Sequence, residues 1–103
     1  MKVVTDARQL PSACAFVPTM GALHAGHASL FALAKKYSDD VVASIFINPL
    51  QFENKEDLAQ YPRTPDIDIA LADAAGVTHL WLPTQSEIYP DGLLLLVTDS
   101  WVY

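Results

Sequence analysis

The chain holds a single cysteine, Cys14, so no disulfide can form within it and no thiolate cluster can bind zinc. Positive charge is also scarce. Six Lys and Arg stand against twelve Asp and Glu, a net of −6 with histidine neutral. Such a surface repels a phosphate backbone, which argues against nucleic-acid binding but not against a small phosphorylated ligand held by local groups. Long apolar runs are missing as well. The longest near the C-terminal end covers residues 93–97, far short of the roughly 20 residues needed to cross a membrane. The opening MKVVTDARQLPSACAF lacks the unbroken apolar stretch of a signal peptide. These absences lead us to expect a soluble, cytoplasmic protein with no membrane partner, and the lone cysteine fits a reducing compartment.

What remains is a core-forming composition. Of 103 residues, 51% are hydrophobic and 17% charged, which suits one folded domain rather than a disordered chain. Residues 2–4 read as a short edge strand, followed by a short helix capped by Thr5 or Asp6. Residues 15–17 read as a buried strand stopped by Pro18. A helix opens near Gly26, with Leu30, Phe31 and Ala34 on its apolar side. Residues 41–47 (VVASIFI) read as a strand buried on both faces. Thr64-Pro65-Asp66 starts a second helix, with Asp66 and Asp68 near its positive end, an apolar stripe of Ile67, Ala70, Leu71 and Ala74, and a stop at Gly76. Residues 80–82 form a third strand, and Cys14 and Trp81 are expected in the core. The alternation of strand and helix implies an α/β fold with a parallel sheet, whose ligands bind at the carboxyl ends of the strands.

Two loops at those ends carry candidate chemistry. The first runs Pro18-Thr19-Met20-Gly21-Ala22-Leu23-His24-Ala25-Gly26-His27. It places two imidazoles beside a helix N-terminus, whose free N–H groups and partial positive charge suit a phosphate. Gly26 would let a phosphate approach the backbone. The imidazoles can donate to phosphate oxygens and to charge building in a transition state. Two surface histidines without a role are the plainer alternative. The second loop, Asn48-Pro49-Leu50-Gln51, brings amides to the same edge, either to read a hydroxyl and a carboxylate or, for Asn48, simply to form a turn. Arg63 either clamps an anion or pairs with Asp66 or Asp68, and Asp68 either faces a magnesium ion or serves the helix dipole.

Four segments, FVPTMGALHAGHASL at 16–30, SIFINPLQF at 44–52, EDLAQYPRT at 56–64 and IYPDG at 88–92, together resemble the pantoate–β-alanine ligase family. The resemblance implies a Rossmann-like parallel sheet of the nucleotidyltransferase superfamily that carries a His-x-Gly-His motif. It also implies ATP-dependent ligation of pantoate and β-alanine through a pantoyl adenylate, with magnesium on the phosphates. Carried over by motif, Met20, Gly21, Ala22, Leu23, His24, Ala25, Gly26 and His27 would form the ATP loop. His24 and His27 would be catalytic. Pro18, Thr19, Met20 and Gln51 would hold pantoate, Gln51 also lying near β-alanine. Asp68 would neighbour magnesium or β-alanine. A homodimer is implied too.

The likeness fades after Leu93. Family members carry a later Gly-x-Lys-Asp segment, a second pantoate glutamine and a Ser-Arg lid on the triphosphate, and none of these occurs in the 103 residues. The expectation is therefore a truncated member: a nucleotide- and pantoate-binding domain over 1–92, an atypical tail over 93–103, and weak nucleotide binding with little or no turnover from this chain alone. A different nucleotidyltransferase, or a non-catalytic module that binds nucleotide or dimerises, are the competing readings.

Overall fold

The computed structural model describes residues 1–88. The end of the IYPDG segment and the tail over 93–103 lie outside the described residues. Four strands form one sheet: β1 (Lys2–Val4), β2 (Ala15–Thr19), β3 (Val41–Ile45) and β4 (His79–Trp81), in the order β1-β4-β3-β2. Every neighbouring pair is parallel. Helix α1 (Ala25–Lys35) joins β2 to β3. Helices α2 (Lys55–Gln60) and α3 (Pro65–Ala74) lie between β3 and β4, and α4 (Gln85–Ile88) follows β4. This is the expected Rossmann-like α/β arrangement.

The central strand explains its own composition. β3 has a neighbour on each side, and Val41, Val42, Ala43 and Ser44 are all buried. Its one polar member, Ser44, sits beside Thr19, whose hydroxyl donates to the Ser44 carbonyl at 2.8 Å. The core joins Phe31 and Ala34 of α1, Val41 and Ala43 of β3, Ala72 of α3, and Leu23, Val77 and Leu80. Thr78 fastens the start of β3 by accepting from Val41 N at 2.9 Å and donating to its carbonyl at 3.0 Å.

Several expectations need correction. Pro18 does not stop β2; it stands inside the strand opposite Ser44. Proline is tolerated there because β2 is at the sheet's edge, where one side of the backbone needs no partner from the described strands. β2 is also only partly buried: Thr19 is its one buried residue, and Phe16 is half exposed. β3 ends at Ile45, two residues before the expected limit of 47. Cys14 is exposed rather than in the core. Trp81 is half-buried, its ring 6.4 Å from that of Phe16.

The apolar stripe of α3 is also turned. Ile67 is 63% exposed, and Ala70 and Ala74 are exposed too. The buried residues are Asp68 and Ala72, with Ile69, Leu71 and Ala75 packed beside them. The helix ends as expected. Gly76 takes φ +97°, and Val77 N reaches back to the Ala72 carbonyl at 3.0 Å, closing the last turn.

This packing sets two unequal costs. Phe31→Ala is expected to lower stability by about 3–5 kcal/mol, whereas Ile67→Ala is expected to stay within about 0.5 kcal/mol. Urea unfolding of both variants checks the orientation of α3 and the place of α1.

Candidate active site

Because the strands are parallel, the segments after β2, β3 and β4 emerge at one edge of the sheet. A cleft of about 230 Å³ opens there. Its walls are apolar: Met20, Ile45, Ile47, Ile69 and Leu82, with Arg63, Thr64 and Asp68 among its polar members.

Beside the cleft, the loop from β2 to α1 bends through two residues of positive φ. Gly21 stands at +80° and Ala22 at +50°. A side chain on Gly21 would bring a Cβ to 3.1 Å from Ile45 Cγ2 and 3.2 Å from Asp68 Oδ2. Ala22 carries the same hand of backbone at a cost of about 1 kcal/mol. What holds the bend is Asp68, only 2% exposed. Its Oδ2 accepts from Ala22 N at 3.1 Å and its Oδ1 from Leu23 N at 2.7 Å. The Thr64 hydroxyl donates to Oδ1 at 3.1 Å. Thr19 adds a further tie, its hydroxyl oxygen accepting from Gly21 N at 3.2 Å.

The histidines follow directly. His24 is the N-cap of α1, and His27 lies one turn inside it. His24 Nδ1 accepts from Gly26 N at 3.0 Å, and His27 Nδ1 accepts from His24 N at 3.1 Å. The rings lie with centroids 4.2 Å apart. A backbone N–H can only donate, so each neutral ring must carry its proton on Nε2. Both Nε2–H groups are then donors with no partner among the described residues.

The capping also explains Gly26. A Cβ there would lie 2.7 Å from His24 Cε1 and 3.0 Å from His24 Nδ1. The ring of His24, folded back onto its own helix, requires the glycine before any ligand does.

The other expected residues divide. Met20 lines the cleft. Thr19 is buried and bonded internally. Pro18 lies away from the cleft, in a groove with Phe16, Leu30 and Leu33. Gln51 ends a short turn, Pro49–Gln51, whose cap Asn48 accepts from Leu50 N at 3.1 Å. Arg63 pairs with neither aspartate. Its guanidinium donates to the carbonyls of Tyr61 at 2.8 Å, Leu58 at 3.1 Å and Ala59 at 3.3 Å, closing the C-terminal end of α2.

Asp68, expected to serve the helix dipole or face magnesium, lies in the first turn of α3 and directs both carboxylate oxygens onto the loop. Among the described residues no group of three His, Cys, Asp or Glu side chains could hold a metal ion. The structural role of Asp68 was legible in principle. An acid between two isoleucines, four residues after Thr64, falls on the helix face below the cap, and a buried carboxylate must find donors.

A family profile for pantoate-beta-alanine ligase matches residues 1–102. The chain belongs to the pantoate–β-alanine ligase family. It is 54% identical over 79 residues to a pantothenate synthetase of Stenotrophomonas maltophilia (strain R551-3), covering 77% of this chain and 28% of that protein. To one of Novosphingobium aromaticivorans it is 53% identical over 88 residues, 85% of this chain and 31% of that protein. A pantothenate synthetase structure from Thermus thermophilus matches with a TM-score of 0.80 and 43% identity, over 92% of this chain and 36% of that one. The ligase of Francisella tularensis, complexed with beta-gamma ATP and beta-alanine, matches with a TM-score of 0.80 and 40% identity, over 92% of this chain and 40% of that one. The chain thus spans about three-tenths of the length of the curated relatives it matches.

Within this family member the site carries its own pH dependence. Partial burial holds the His27 pKa below the ordinary imidazole value, His24 beside it lowers it further, and the opposing pull of Asp68 does not cancel them. The unfolded chain therefore takes up this proton more readily than the folded one. The corresponding stability is complete above about pH 6.5 and is lost as pH falls below it, toward the lower value of the folded ring. Thermal unfolding between about pH 7.5 and pH 5.5 should show a midpoint that falls more steeply in the wild type than in His27→Ala. Parallel curves would contradict this.

Proposed function

We propose that this chain forms the histidine-bearing wall of an active site that adenylates pantoate and joins it to β-alanine. In this reading a pantoate carboxylate oxygen attacks the α-phosphorus of ATP, and pyrophosphate leaves. The β-alanine nitrogen then attacks the acyl carbon and loses a proton, and AMP leaves as pantothenate forms. The observation that carries the reading is the pair of Nε2–H donors fixed by reciprocal capping at the start of α1. Two such donors, with the positive end of an eleven-residue helix behind them, favour phosphate oxygens and the charge that grows on them in transfer.

The remaining parts fit round that pair. The loop 20–27 meets the nucleotide, with His24 and His27 on its phosphates and His27 as proton donor. The apolar cleft beside Met20 suits the branched aliphatic body of a small acid, and Gln51, in the turn beyond β3, takes its polar end and lies near the amine. Magnesium belongs to this reading as an ion carried in by the phosphates, with no protein cage assigned to it. The net charge of −6 favours a free nucleotide over a nucleic acid. A cytoplasmic homodimer is part of the same reading, supported by the half-exposed Phe16, Leu30 and Leu33 near the outer edge of β2.

The chain alone supplies little positive charge to the reaction. Among the described residues lining the cleft Arg63 is the only cation, and its guanidinium is already bonded to three carbonyls. We therefore expect saturable ATP binding by the 103-residue chain, weakened about ten-fold or more by either His24→Ala or His27→Ala. Pantoate-dependent ATP–pyrophosphate exchange should be slow or absent. Titration calorimetry and the exchange assay check both. Unchanged affinity in the two variants would overturn the reading.

A further inference from the structure

We infer that Asp68 is a positioning residue for the two histidines, acting through the backbone of the loop that carries them. The inference rests on the proposed function for its purpose, but its geometry stands independently.

Four amides between Ala22 and Gly26 are bonded to side chains rather than left open. Ala22 N and Leu23 N go to Asp68, His24 N goes to His27 Nδ1, and Gly26 N goes to His24 Nδ1. The bonds form one series along the chain. Asp68 fixes the two residues that immediately precede His24. With those fixed, His24 N points at the ring of His27, and the ring of His24 closes onto Gly26. The Nε2–H directions are therefore set from α3, a separate element, through a carboxylate that touches neither imidazole by any hydrogen bond in the structure.

The chemistry requires an acid at this position. Both oxygens of a carboxylate accept, so two adjacent N–H groups can be held at once. An asparagine offers one accepting oxygen and an NH₂ that would face a second N–H. Donor then opposes donor, and one amide of the positive-φ bend is released. Thr64 completes the arrangement, since its hydroxyl donates to Oδ1 at 3.1 Å and its carbonyl accepts from Asp68 N at 2.8 Å.

The test is Asp68→Asn, read by the imidazole ¹⁵N resonances. In the wild type both rings should show the pattern of protonated Nε2 and accepting Nδ1. In Asp68→Asn the rings should shift toward a mixture of tautomers, and ATP affinity should fall by at least about ten-fold. Thr64→Val, which leaves the acid in place, should move the same resonances by less, and it serves if Asp68→Asn does not fold. Val77→Ala loosens the core without touching the loop and should leave the tautomers unchanged, which a purely global effect of Asp68 would not allow. Unaltered tautomers in a folded Asp68→Asn would overturn the inference. Altered tautomers in a protein that does not bind ATP even as wild type would support the positioning role and count against the proposed function alone.

Discussion

The carboxylate of Asp68, buried between α3 and the loop after β2, is the contact on which the site depends. Two adjacent amides, Ala22 N and Leu23 N, reach its two oxygens. Burial of an acid is costly unless donors meet it, so the arrangement is stable only when the loop takes this one path. That path includes two residues of positive φ, one of them an alanine. Strain of this kind persists where the surroundings over-determine the backbone. Here the surroundings are Asp68, the Thr19 hydroxyl and the side chain of Ile45 against Gly21.

From that constraint the histidine geometry follows. A bare helix N-terminus meets an anion with its backbone amides. In this chain Gly26 N, in the first turn of α1, is already taken by the ring of its own N-cap. The reciprocal capping exchanges two amides, those of His24 and Gly26, for two imidazole Nε2–H groups, which extend further from the backbone and hold a defined tautomer. The positive end of the helix remains behind them. The exchange makes the site sensitive to acid, because a proton arriving at Nδ1 of His27 meets the His24 N–H.

Much of this was legible before the structure. The two-faced burial of VVASI, the Thr64-Pro65 start of α3 and the Gly76 stop rest on local chemistry that the packing does not overrule. The four family segments located the loop. What local pattern could not supply was position in the sheet. Pro18 reads as a stop until β2 is known to be an edge strand. Ile67 reads as core until α3 is rotated to bury Asp68, because one carboxylate with donors to satisfy decides which face of the helix turns inward. Helix α2 was missed because six residues, capped by Asn54 and closed by Arg63, show too little periodicity to be seen. The reason for Gly26 was missed for a similar cause. Its crowding comes from the His24 ring, a contact that exists only once the cap has formed.

The central claim is that the loop is held in place before any ligand arrives, and amide hydrogen exchange of the nucleotide-free protein tests it most directly. If the Asp68 bonds hold, Ala22 and Leu23 amides should exchange as slowly as those of β3, although they lie in a loop. Exchange at the rate of an exposed loop amide such as that of Glu53 would contradict the account, for the histidines would then have no fixed frame to stand on.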